Sequence, residues 1–143
     1  DLKEGMSEGA AVLALTPEPE GAYCKVAAFA SAPLSACPYV HEVDKGEAKR
    51  VFGEVLAIYE KPEIVLACGN GGILDKAEEE AIREKFPDAK VLQPKQYFGE
   101  ILDCGYLSNV AFGAAMIKAG RAGSILASGI DMHGNYLTAR LEA

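Results

Sequence analysis

Ile64-Val65-Leu66-Ala67-Cys68-Gly69-Asn70-Gly71-Gly72 is a short apolar run that feeds straight into a glycine-rich turn. A run of this length and continuity reads as a strand covered on both faces. Behind the turn, Asp75 and Glu78 have capping-box spacing, and Ala77, Ala81 and Ile82 give the inward side of a polar helix. Phe86-Pro87 stops that helix, and Ala89 to Leu92 is the next short strand. Strand, helix and strand in this order form a crossover unit, so the chain is expected to carry a mostly parallel sheet.

Upstream, Gly9 to Leu15 reads as a short buried strand closed by Thr16-Pro17-Glu18-Pro19. Ala22 to Ala32 is small and almost wholly apolar, the pattern of a central strand. Pro33 to His41 is loop. Asp44 and Glu47 make another capping box, followed by an inward stripe of Ala48, Val51, Phe52, Val55, Leu56 and Tyr59 that Lys61-Pro62 ends. Downstream, residues 106–119 form a helix apolar on nearly every side, interrupted by Ser108, Asn109 and Lys118. Such a helix is expected to be surrounded by protein. Gly120 stops it. Ser124 to Ser128 and Tyr136 to Leu141 are two closing strands, antiparallel because their linker is too short for a crossover. The order is β-β-α-β-α-β-α-β-β.

The 143 residues are half apolar, and 21 acidic side chains outnumber 14 basic ones, giving a net charge of −7. An acidic chain without a basic cluster is repelled by phosphate backbones and by anionic membrane surfaces, so neither nucleic acid nor membrane is an expected partner. No apolar stretch reaches the roughly 18 residues of a membrane span, and the first residues lack the pattern of a signal peptide. Cys24, Cys37, Cys68 and Cys104 are scattered with no C-x-x-C pair, which argues against a zinc site and for a reducing, cytoplasmic compartment.

The landmarks in this order resemble the C-terminal half of a β-ketoacyl-acyl-carrier-protein synthase, a condensing enzyme of the thiolase fold. Glu8 to Leu15 is similar to the family's E-G-A-x-V-L-V-L strand, which closes its N-terminal half. Cys68-Gly69-Asn70-Gly71-Gly72 with Asp75 and Glu78 resembles H-G-T-G-T followed by Asp and Glu. Lys95-Gln96-Tyr97-Phe98-Gly99-Glu100 resembles K-S-x-x-G-H, and Ser128 to Asn135 the closing S-x-G-x-G-G-x-N turn. The resemblance implies a three-layer C-terminal unit over residues 21–143 with a mostly parallel five-stranded sheet. Residues 1–20 would then supply the last strand of an N-terminal half. It also implies an acyl-carrier protein or acyl thioester as partner, a dimer, and no cofactor or metal. Carrier proteins are themselves acidic, so docking would use a local basic patch or another chain.

Enzymes of this family use a cysteine, which belongs to the N-terminal half, and two histidines that stabilise charge on a thioester oxygen during decarboxylation. Here the histidine positions are Cys68 and Glu100, and only the pattern's lysine survives, as Lys95. A thiol is a weak hydrogen-bond donor and an ionised carboxylate donates nothing; Glu100 would repel the developing enolate. The chain therefore resembles the family's non-catalytic chain-length-factor subunits, whose partner is an active synthase. An alternative keeps chemistry at Cys68, Glu100 or Cys104.

Each of these residues also has a plain structural reading. Cys68 can be a packed small hydrophobe, Glu100 a solvated or helix-terminal carboxylate, and Lys95 a surface lysine or a partner for Glu100. Cys104 opens the apolar helix and matches, by the pseudo-symmetry of the two halves, the nucleophile position, but Asp103 beside it opposes ionisation. By their places in the matching turns, Asn70, Phe98 and His133 are the candidate substrate contacts; His41 reads as a surface residue. The Gly69 to Gly72 turn also invites a phosphate-cradle reading, and with it a nucleotide-binding α/β module. It lacks the spacing of the known phosphate motifs. A half-fold would expose a broad apolar face, so the length and the start at Asp1 are read as those of a fragment or of one subunit of a split protein.

Overall fold

A computed structural model describes residues 9–38, 41–69, 72–101 and 104–143. Its elements are β1 (Lys25–Pro33), α1 (Lys45–Leu56), β2 (Ile64–Leu66), α2 (Ile73–Lys85), β3 (Lys90–Leu92), α3 (Lys95–Phe98), α4 (Cys104–Lys118), β4 (Ser124–Ile130) and β5 (Asn135–Glu142). Asp44 caps α1 as its spacing predicts, accepting from the Glu47 N–H at 2.8 Å. The reciprocal half of the box is replaced, because the Glu47 carboxylate accepts from Ser35 Oγ. The second expected box does not form. Helix α2 starts two residues before Asp75, with Gly72 as a cap that offers no side chain, and Glu78 is turned inward.

The strands lie in the order β1-β5-β4-β2-β3. β2 is parallel to both β3 and β4, while β5 is antiparallel to both β4 and β1. Four strands thus share one direction and β5 alone is reversed. Because β5 sits between β1 and β4, the expected mostly parallel sheet is a mixed one, with as many antiparallel ladders as parallel. The short turn from Asp131 to Gly134, closed by the Gly134 N–H on the Asp131 carbonyl at 3.0 Å, forces that reversal.

The sheet has a helical layer on each face. Phe52 of α1 packs on Tyr136 of β5 with ring centroids 4.3 Å apart, in a core that joins α1 and α2 to Val65, Ala67 and Leu126. The opposite face carries α4, whose Val110 and Ile117 meet Leu66, Ile125 and Leu141. Alternate residues of β2 serve the two cores, which is why that strand reads as continuously apolar.

Three expectations change. Residues 9–16 form no strand, and Val12 is 91% exposed, although Leu13 packs against the core on the α4 side. Strand β1 is an edge strand, paired only with β5. Its unbroken apolarity has another origin: Ala28, Ala30 and Ala32 pack toward α1, whereas Val26 and Phe29 on the α4 side are exposed. Helix α4 is covered on one side only, since Leu107 and Phe112 are exposed. The short helix α3 has no apolar period and was not legible.

Two glycines let α4 approach the sheet. A Cβ on Gly113 would stand 2.8 Å from a Leu141 methyl, and one on Gly129 would stand 2.5 Å from Tyr106 Cβ and 2.8 Å from its Cα. The Tyr106 backbone cannot step aside as a methyl can. Gly129→Ala should therefore lower stability by about 1–3 kcal/mol, and more than Gly113→Ala does, read as the shift in urea midpoint at unchanged slope.

Candidate functional site

The chain leaves β2 toward β3 on one side of the sheet and returns to β4 on the other, so the carboxyl ends of β2 and β4 flank a topological switch point. Ligand sites of open α/β sheets gather at such a point. Five elements send polar side chains there, and most of those side chains are buried.

Glu78, 1% exposed, is the hub. Its position in α2 turns it under the end of β2, where Oε2 accepts from the Cys68 N–H at 2.9 Å. Oε1 accepts from the Tyr136 hydroxyl at 2.8 Å and from Ser128 Oγ at 2.5 Å. Ser128 Oγ also lies 3.2 Å from the Leu66 carbonyl, but a hydroxyl has one proton to give and the shorter contact takes it. Burial and then the Glu78 charge push the Cys68 thiol well above its ordinary range, against the opposing pull of the Lys95 charge. Burial and Glu78 do the same to the Tyr136 phenol. Burial alone carries most of the rise of the Tyr106 phenol to about 12.

Lys95 and Glu100 form the second cluster. Lys95 Nζ donates to Glu100 Oε2 at 2.6 Å, with the two side chains 2% and 1% exposed. The first turn of α4 closes over them: a Cβ on Gly105 would lie 3.0 Å from Lys95 Cε and 3.3 Å from Nζ. One turn further along α4, Asn109 Nδ2 donates to the carbonyls of Ala67 at 3.2 Å and Ser128 at 2.9 Å, tying β2 to β4. Two acceptors fix the amide orientation and leave Asn109 Oδ1 buried without a hydrogen-bond partner.

The candidates read from the sequence thus divide. Lys95 and Glu100 are bonded to each other, and Cys68 lies within the same electrostatic neighbourhood. Cys104 begins α4, half-exposed, and its N–H is tied to the Ile101 carbonyl at 3.0 Å. Phe98 ends α3, half-buried. His133 is exposed on the β4–β5 turn, where only its backbone N–H is used, on Asp131 Oδ1 at 2.9 Å. Burial would raise the Asp131 carboxyl, but the bonds from Asn135 and His133 outweigh it and hold it low. Asn70, and the Asp103 invoked beside Cys104, lie outside the described residues. Glu78 as hub, Ser128, Tyr136 and Asn109 escaped sequence reasoning. The one available signal was Asn109, a polar residue four positions from Gly105 and from Gly113 on the buried stripe of an apolar helix.

The four cysteines are free thiols. Among the described residues no group of three or more His, Cys, Asp and Glu side chains could hold a metal ion, and no helix is long and apolar enough to cross a membrane. A groove of about 1120 Å³ runs between residues 12–26 and the middle of α4, lined by Val110, Ala111 and Ala114. None of its lining residues belongs to the polar clusters, so its size gives it no share in their chemistry.

No family model matches the chain, and no curated protein matches it. Among solved structures it is similar to a chain of the AntDE:AntF complex, a type II polyketide-synthase acyl-carrier protein with its ketosynthase bound to the hexaketide. The TM-score is 0.66 at 9% identity over 85% of this chain, which spans about a third (33%) of the matched one. At that identity the likeness is one of fold.

Two measurements check the site. Lys95→Met strips a buried carboxylate of its counter-charge and should cost about 3–5 kcal/mol, most of which Lys95→Met/Glu100→Leu recovers; equal losses in the two variants would contradict the pairing. Cys68, its proton held by burial, should resist alkylation near neutral pH until the chain unfolds, while half-exposed Cys37 reacts, as peptide mass spectrometry reads. The folded Cys68 and Tyr136 bind their protons more tightly than unfolded ones, so their stabilisation is whole below about pH 8.5. It is lost as pH climbs past the unfolded thiol and then past the unfolded phenol at about 10.

Proposed function

We propose that the chain is the C-terminal α/β half of a β-ketoacyl-acyl-carrier-protein-synthase-like protein in fatty-acid or polyketide-type biosynthesis, of the non-catalytic, chain-length-factor-like kind. The observation that carries this reading is the buried Lys95–Glu100 pair at 2.6 Å. Where decarboxylative condensation needs two neutral or cationic donors facing a developing oxyanion, one position is a carboxylate. The other, Cys68, has its thiol proton held by burial and its N–H committed to Glu78.

Two further observations support it. The unit is a five-stranded sheet with helices on both faces, although the sheet is mixed where the resemblance implies a mostly parallel one. Its fold is like part of a chain from a complex that contains a ketosynthase and its carrier protein. On this reading residues 1–20 are the end of a first half. The partners are then a nucleophile-bearing half or synthase chain and an acyl-carrier protein. A route through Cys68 as nucleophile is disfavoured because the thiolate would form beside the Glu78 carboxylate.

The test is decarboxylation of radiolabelled malonyl-carrier protein by the intact protein together with a cysteine-bearing synthase half. No release of labelled carbon dioxide beyond that of the synthase half alone is expected. Release that depends on Glu100, lost in Glu100→Gln, would overturn the non-catalytic reading.

A further inference from the structure

The oxygen of the Asn109 amide is the unsettled atom of the switch point. Asn109 is fully buried. Its Nδ2 serves the carbonyls of Ala67 and Ser128, and its Oδ1 has no hydrogen-bond partner. Turning the amide over would set an oxygen against two carbonyl oxygens, so no flip relieves it. The positions one turn away on the same buried stripe, Gly105 and Gly113, carry no side chain that could serve it. A bare buried acceptor is costly, and in folded proteins an ordered water commonly fills that need.

Lys95 is brought toward the same atom from two directions. A Cβ on Gly105 would lie 3.3 Å from Lys95 Nζ, and Asn109, one turn further on, leans its side chain back toward Gly105 as helical side chains do. On the sheet side, Asn109 Nδ2 holds the Ala67 carbonyl, whose peptide runs into Cys68, and the Lys95 charge acts on the Cys68 thiol. Glu100 Oε2 takes one of the three ammonium protons. At 2% exposure, bulk water does not reach the others.

We propose that this is a built hydration site: one internal water sits between Lys95 Nζ and Asn109 Oδ1, accepting from the ammonium and donating to the amide oxygen. Two charged or strongly polar partners are enough to hold a buried water. A metal cation does not suit the place, since it would stand against the like charge of the ammonium. The water makes the two polar clusters one. Glu100, Lys95, the water and Asn109 then run to the Ser128 carbonyl, and Ser128 Oγ is bonded to Glu78. It also withdraws from any substrate the one unserved side-chain acceptor among the described residues. The inference stands apart from the condensing-enzyme reading, because it needs only the buried pair and the bare amide oxygen.

The experiment pairs a crystal structure of the purified chain with oxygen-17 relaxation dispersion in solution, which counts waters held longer than the protein tumbles. The expected density is one water within hydrogen-bond distance of both Lys95 Nζ and Asn109 Oδ1. Lys95→Met/Glu100→Leu removes the ammonium without stranding a carboxylate, and should lower the dispersion amplitude by about one long-lived water. Asn109→Leu should do the same; because it also breaks the bonds to Ala67 and Ser128, the decision rests on the Lys95→Met/Glu100→Leu variant if the leucine variant does not fold. Lys95 Nζ bonded directly to Oδ1, no density between the two atoms, or an occupant with the ligand number of a cation would overturn the inference. An amplitude unchanged in Lys95→Met/Glu100→Leu would overturn it as well.

Discussion

The carboxylate of Glu78 is the constraint on which the carboxyl ends of the strands depend. A buried carboxylate is costly unless its oxygens are supplied with donors, and three elements supply them: the Cys68 N–H after β2, Ser128 of β4 and Tyr136 of β5. Each of those donors would be as poorly placed without the carboxylate as the carboxylate without them. The arrangement therefore locks α2 to three strands and sets the direction in which the chain leaves β2. Its effect on proton affinity follows from the same burial, which leaves the Cys68 thiol and the Tyr136 phenol protonated.

Lys95 and Glu100 solve a similar problem by opposite charge. Their pair is closed over by α4, and Gly105 makes room for it. With both clusters satisfied from within, the switch point of this sheet is occupied by the protein's own polar groups. Among the described residues Asn109 Oδ1 is the exception. A site organised in this way positions backbone well and presents few free donors to a substrate, which is the physical content of the non-catalytic reading.

Much of the architecture was legible because period and punctuation act locally. The Asp44 cap, the apolar stripe of α1, the β2 run and the hairpin between β4 and β5 each follow from side-chain spacing and turn length. The failures share one cause, that apolarity along an element does not say what covers it. β1 and α4 were read as enclosed because both are apolar throughout, yet one is an edge strand and the other is bare on its outer side. Glu78 was misread for a related reason. At the spacing of a helix cap it has a local role available, and only the approach of Ser128 and Tyr136, 50 and 58 residues away, gives it another.

The amino-acid sequence alone determined the alternation of strands and helices and the excess of negative charge. These are properties of composition and short-range spacing. The tertiary structure decided the rest: that β5 alone reverses the sheet, that Lys95 neutralises Glu100, that Glu78 is a hub, and that the apolar residues of β1 and α4 share one open face. Each depends on contacts between segments far apart in the chain, whose pairing is chosen by the packing of the whole core and is not encoded in any local pattern.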